Sequence, residues 1–201
     1  YDPVEVKQMV ATVKVISFAV PQRTLDRALA AAADGPSVAR VAPFDPLRTA
    51  LIQTRLPRTR EAVLAKTRRV LKGRLHALGG SLVEERRCAH EEDDLAREIL
   101  ALEAERDLLV IAGASATVDR RDIVPAAIRR AGGEVVHFGM PVDPGNLLVV
   151  ARSERGTILG MPGCARSPKR NGFDWVLERL SAGFEVGPRE IMHMGPGGLL
   201  Q

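Results

Sequence analysis

From Leu47 onward, short apolar runs alternate with stretches of helical periodicity, which is the pattern of an α/β fold. Leu47 to Gln53 reads as a buried strand. Arg60 to Leu78 reads as a helix with Val63, Leu64, Val70, Leu71, Leu75 and Leu78 as its apolar positions, stopped by Gly79 and Gly80. Ser81 to Arg87 is a second predicted strand, and Glu91 to Glu103 a helix whose opening acids suit the positive end of its dipole. Asp107 to Ala112 is a short apolar strand of the kind buried on both faces, so it is expected at the centre of the sheet with Leu108, Val110 and Ile111 covered. Arg121 to Ala131 follows as a helix stopped by Gly132 and Gly133, then Glu134 to Phe138 as a strand. Leu147 to Arg152 with Thr157 to Gly160 forms a hairpin turning at Glu154 to Gly156, and Gly172 to Leu180 is the last clear helix. The expected architecture is three layers: an open, mostly parallel sheet with helices on both faces. Ligands of such sheets bind outside the C-terminal ends of the strands.

Residues 1–46 differ. Val10 to Val20 is strand-like, Thr24 to Ala33 is an alanine-rich helix with Thr24 as its cap, and Pro36, Pro43 and Pro46 mark loop. This stretch reads as a lead-in segment, residues 47–186 as the α/β domain, and residues 187–201 as a glycine-rich exit. The chain opens on Tyr1 and is expected to be a piece of a longer protein.

At 201 residues, 45% of them hydrophobic and 27% charged, the composition is globular and excludes collagen-like, coiled-coil and disordered classes. No apolar run reaches the roughly 18 to 20 residues that cross a bilayer. Cys88 and Cys164 are far apart and support neither a disulfide framework nor a cysteine zinc site, so a reducing cytoplasm is the expected location. The net charge of +4 is unevenly spread. Leu47 to Leu75 carries nine basic residues against Glu61 alone, whereas Glu84 to Asp107 carries ten acids against four basic residues. Five Phe, one Tyr and one Trp give few stacking platforms, which argues against nucleic acid. The basic stretch reads as a solvated helix face or as a patch that draws in a small phosphorylated ligand.

The strongest local feature is strand, loop, helix in DLLVIAGASATVDRRDIVPAAIRRA, residues 107–131. Small residues Gly113, Ala114, Ser115, Ala116 and Thr117 follow the strand, so backbone amides can approach an anion and the hydroxyls can donate to it. Neither the dinucleotide fingerprint nor the P-loop occurs. Asp119 and Asp122 come next, and can cap the helix, coordinate Mg²⁺ beside a phosphate, or move a proton in phosphoryl chemistry. Two further loops lie on the expected binding edge: GMPVDPGNLL, residues 139–148, and GMPGCARSPKRNG, residues 160–172, in which Ser167, Lys169 and Arg170 are placed to converge on an anion.

Taken together, the three loops make Leu47 to about Val186 resemble the molybdopterin-binding domain of molybdenum cofactor biosynthesis proteins. The family's Gly-Gly-Thr/Val-Gly/Ser loop and Arg-Asp-x-Thr-Pro helix start are matched by Gly113 to Thr117 and by Arg121 to Pro125. Its Leu-Pro-Gly-Asn-Pro-x-Ser turn is matched by Met161, Pro162, Gly163 and Ser167, and its Lys-Pro-Gly-Lys-Pro loop by Pro144 and Gly145. Departures are Ala114 for a glycine, Asp143 and Asn146 for the two lysines, Cys164 and Ala165 for Asn-Pro, and His90 with Glu91 where the family has an acidic pair. The chain is most similar to the molybdopterin-binding part of bacterial fusions with a cytidylyltransferase-like nucleotidyltransferase domain.

The resemblance implies a homo-oligomer that binds molybdopterin or the molybdenum cofactor. A terminal phosphate would sit on Gly113, Ala114, Ser115 and Thr117 and the pterin near Pro162 and Gly163, with Pro144, Gly145 and Ser167 alongside. A nucleotidyltransferase domain would be the partner. Two alternatives stand beside it. One is catalysis of adenylyl or molybdate transfer, with Asp119 and Asp122 as catalytic carboxylates and Mg²⁺ ligands. The other is a scaffold that keeps the fold for oligomerisation only. His90 is expected to be exposed ahead of a helix, and Cys164 to be a buried small residue.

Overall fold

A computed structural model describes residues 2–12, 14, 17–34, 39–102 and 105–195. The chain divides into two compact units, Tyr1–Pro43 and Phe44–Gln201. Among its described residues the first unit has one helix, α1 (Gln22–Asp34). The strand expected over Val10 to Val20 does not form among the described residues there, and Val13, Val15 and Ile16 lie outside them. Among the described residues no strand lies beside this stretch to take its backbone groups, and Val10, Phe18 and Val20 are exposed. The helix also starts two residues before Thr24, whose N–H donates to Pro21 O at 2.8 Å, so Thr24 lies in the first turn and is not the cap.

The second unit carries β1 (Arg48–Arg55), α2 (Glu61–Ala77), β2 (Ser81–Ala89), α3 (Glu92–Ala101), β3 (Leu108–Ala112) and α4 (Ile123–Arg130). It continues with β4 (Glu134–Phe138), β5 (Val149–Ser153), β6 (Gly156–Gly160), a 3₁₀ turn at Gly163–Arg166, α5 (Gly172–Ser181) and α6 (Pro188–Met192). The six strands form one sheet in the order β2-β1-β3-β6-β5-β4, with β5 alone running against its neighbours. The α/β, mostly parallel architecture is as the sequence predicts.

Strand β3 lies between β1 and β6 with all five residues buried, because alternate side chains enter two different cores. Leu108, Val110 and Ala112 join Leu71 and Leu75 of α2, Phe173 and Val176 of α5, and Ile191. Leu109 and Ile111 join Leu95 and Ile99 of α3 and Val124 and Ile128 of α4. Each fully buried aliphatic side chain contributes roughly 1.5–3 kcal/mol of transfer free energy, so both faces of this strand drive the sheet together.

Two element boundaries position side chains at the sheet's edge. Strand β2 runs on to Ala89 because it stays paired with β1 up to Arg55, which carries His90 to the edge of the sheet. Helix α4 starts at Ile123, leaving Asp122 in the cap position. In the residues read as an exit segment, α6 begins on Pro188, and Glu190 accepts from Gly187 N at 3.0 Å. Ile191 and Met194 are buried, and residues 196–201 lie outside the described set. Among the described residues no helix is long and apolar enough to cross a membrane.

Candidate functional site

Parallel pairing brings the C-terminal ends of β2, β1, β3 and β6 to one edge of the sheet, and β4, which runs with β6, ends there too. The loops after β3, β4 and β6 therefore open on the same side. A chain of hydrogen bonds crosses this edge between residues far apart in sequence. Ala114 N donates to Thr54 Oγ1 at 2.8 Å, Thr54 Oγ1 lies 2.8 Å from His90 Nδ1, and His90 Nε2 lies 2.7 Å from Ser115 Oγ.

His90 is 7% exposed, not the exposed residue the sequence predicts, because the longer β2 places it between Thr54 and the β3 loop. Burial pushes its pKa below 6.5, and the nearby Glu91 and Asp122 carboxylates only partly oppose this, so its neutral form prevails. The Thr54 hydroxyl is 1% exposed and already accepts from Ala114. With the Thr54 proton donated to His90 Nδ1, the neutral ring carries its proton on Nε2 and donates to Ser115 Oγ; in the other tautomer both bonds run the opposite way. In the Nε2–H tautomer the hydroxyl proton of Ser115, an exposed residue, is free to donate away from the ring.

Gly113 opens this loop where a side chain would be tight: a Cβ would lie 3.1 Å from Val124 Cγ2 and 3.2 Å from Ser115 O. Its carbonyl accepts from Arg166 Nη2 at 2.5 Å. Arg166 comes from the 3₁₀ turn after β6 and is half-buried, and burial alone pulls its pKa down. Among the described residues it has no ion pair. Of the expected trio Ser167, Lys169 and Arg170, only Arg170 is engaged elsewhere through its charge among the described residues. Arg170 pairs with Glu178 at 2.7 Å, and Ser167 Oγ accepts from Lys169 N at 3.3 Å. Sequence reasoning passed over Arg166, since four cationic or hydroxyl residues within five positions cannot be ranked without knowing which way the turn points.

The turn is fixed from beneath. Arg74 of α2 donates to Ala165 O at 2.6 Å, Ser167 O at 2.8 Å and Lys169 O at 3.2 Å, and pairs with Asp174 at 2.5 Å. Asn171 caps α5 by accepting from Phe173 N, and Asp174 returns a bond from Asn171 N. Pro162 and Gly163 start this turn. Cys164 is exposed, not buried as expected, because the clamp turns Ala165 inward in its place.

In the β4–β5 loop Pro144 O accepts from Gly172 N at 2.9 Å, and Gly145, at φ +132°, packs so tightly that a Cβ would lie 2.6 Å from Gly172 N. Pro144 and Gly145 thus seat this loop on the start of α5. Thr117 is half-buried in the β3 loop. Asp122 Oδ2 accepts from Val118 N at 2.7 Å and Asp119 N at 2.9 Å, and Asp119 Oδ1 accepts from Arg121 N at 2.7 Å. These bonds fold the loop back on the start of α4. Among the described residues no group of three or more His, Cys, Asp or Glu side chains is placed to hold a metal ion.

Known proteins bear on this edge. No curated protein matches the chain. Among solved structures, a molybdopterin biosynthesis moea protein from Pyrococcus horikosii is similar at 21% identity and TM-score 0.42, covering 59% of this chain and 30% of that one, so the chain spans less than a third of its length. A molybdenum cofactor biosynthesis protein B is similar at 14% identity and TM-score 0.46, covering 69% of this chain and 89% of that one. The molybdopterin biosynthesis enzyme MoaB from Thermus theromophilus is similar at 17% identity and TM-score 0.44, covering 68% and 97%. The family model described as "Probable molybdopterin binding domain" matches residues 53–182, a stretch that runs from the Thr54 end of the relay through all three loops to the end of α5. More than half of the chain being matched, it belongs to the molybdopterin-binding domain family of molybdenum cofactor biosynthesis.

Proposed function

We propose that the chain binds molybdopterin or the molybdenum cofactor at this edge and presents it to a nucleotidyltransferase domain. The observation that carries the reading is the Ser115 hydroxyl, held by neutral His90 at the mouth of a loop of small residues that follows a central parallel strand. Gly113, Ala114, Ser115 and Thr117 take the terminal phosphate. Pro162, Gly163 and Ser167, on the turn that Arg74 fixes, take the pterin side, and Pro144 and Gly145 shape the wall between the β4 loop and α5. The protein works as a cytoplasmic homo-oligomer.

Binding without turnover is the form this reading takes. Asp119 and Asp122 are already bonded to loop backbone N–H groups, so their role is to hold the loop. With Asp143 and Asn146 in the β4–β5 loop, residues 139–148 supply no cation to steady a transferring phosphoryl group, the main catalytic contribution in such chemistry.

Ser115→Asp tests the reading by fixing a carboxylate where the phosphate would sit. Molybdopterin binding to the wild-type chain, weakened by on the order of 2 kcal/mol or more in the variant, is the expected result. Equal affinity in both proteins moves the site elsewhere, and adenylylated product from the chain with ATP makes it an enzyme.

A further inference from the structure

We infer that Arg166 is the cation that completes an oxyanion site on the β3 loop, acting with the Ser115 hydroxyl on a phosphomonoester dianion. A half-buried guanidinium without a partner charge is costly, because it gives up water and gains no carboxylate in return. Arg74, which holds the same turn, has Asp174 at 2.5 Å, and Arg170, four residues on, has Glu178 at 2.7 Å. Arg166 has neither. Of its five N–H donors, one is anchored on Gly113 O at 2.5 Å, which brings the remaining fork to the same loop that presents Ser115.

The two groups are positioned independently: Arg166 from the 3₁₀ turn after β6, and Ser115 from a relay that starts on β1. A planar fork and a separately directed hydroxyl suit a tetrahedral oxyanion, which offers more oxygens in more directions than a carboxylate does. That the loop seats the ligand rests on the function proposed above; Arg166 and Ser115 are the side chains that supply its charge and its directed bond.

The test is a titration of the 201-residue chain with inorganic phosphate and with methyl phosphate at constant ionic strength, following the amide resonances of Gly113, Ala114 and Ser115. Saturable shifts are expected in the wild type. Arg166→Met should raise Kd about tenfold or more and Arg166→Lys by less, as loss of a charge-assisted bond implies. Arg170→Met, whose guanidinium is engaged with Glu178, should bind as the wild type does. Unchanged affinity in Arg166→Met, or an equal loss in Arg170→Met, overturns the inference, and if Arg166→Met does not fold, unchanged affinity in Arg166→Lys overturns it. Molybdopterin binding that ignores Arg166 sinks this inference and leaves the proposed function. Arg166-dependent phosphate binding in a chain that does not bind molybdopterin sinks the proposed function and leaves the inference.

Discussion

Arg74 of α2 holds Asp174 of α5 at 2.5 Å while its other donors reach three carbonyls of the turn that follows β6. One buried side chain thus ties a helix on the sheet face to a second helix and to the loop between them. Its guanidinium also lies 6.0 Å from the centre of the Phe173 ring, which is fully buried.

Replacing that side chain should be severe. Arg74→Met leaves the Asp174 carboxylate, 15% exposed, without its cation and strips three carbonyls of their donor. The expected loss is about 3 kcal/mol or more, the cost of breaking a buried pair from one side. Urea unfolding measures it, and faster amide exchange over residues 165–169 should accompany it. A loss below about 1 kcal/mol, the scale of an exposed pair, would show that Arg74 is not the clamp.

A methyl group at Gly145 should act on the same region from the other side. The backbone there is at φ +132° and the added carbon would lie 2.6 Å from Gly172 N, so Gly145→Ala should cost about 1–3 kcal/mol in backbone strain before any clash is counted. Thermal unfolding reads it. Gly156→Ala, at φ +112° in the β5–β6 turn, should also destabilise the chain yet leave phosphate affinity unchanged.

His90 and His137 both sit below their ordinary pKa of 6.5, chiefly through burial, with Arg120 adding to the effect at His137. Folding therefore favours the neutral rings, and the unfolded chain takes up protons first. Their contribution to stability is complete above 6.5 and falls as pH drops from there toward the lowered folded values. Glu178, pushed up from 4.5 by burial, has the opposite sign near its own range, so the difference between variants is the useful quantity. The stability of His90→Gln relative to wild type should improve between about pH 8 and about pH 5.5. A constant difference would mean that His90 is not held neutral.

Carboxylates on the β3 loop should prove nearly silent in binding. In the Asp119→Asn, Asp122→Asn double variant each side chain keeps an oxygen for the N–H groups it now serves. Affinity for molybdopterin should stay within about threefold, the scale of a surface substitution, with or without Mg²⁺. A Mg²⁺-dependent affinity in the wild type that disappears in the variant would reinstate a metal role.

How far these features were legible depends on how local their causes are. Strand β3 was readable because LLVIA has no side chain that tolerates water, and the β5–β6 hairpin because its turn residues punctuate it. The burial of His90 is not legible in sequence because its partners, Thr54 and Ser115, are 36 and 25 residues away, and no periodicity reports a side chain bonded across strand ends. Arg166, Lys169 and Arg170 are chemically similar in sequence. The turn that carries them is held by Arg74, from a helix 91 residues upstream of Ala165, and Arg166 is the one bonded to the loop at Gly113 O. The stretch around Val10 shows the reverse error, a strand pattern that has no strand beside it among the described residues.

Because β5 runs down the sheet and β6 runs back up, the reversal at Glu154 and Arg155 lies at the opposite end of the strands from the β3, β4 and β6 loops. Both residues are exposed. A fluorophore or affinity handle attached there would report on the folded sheet from its far pole, leaving every loop at the binding edge unencumbered.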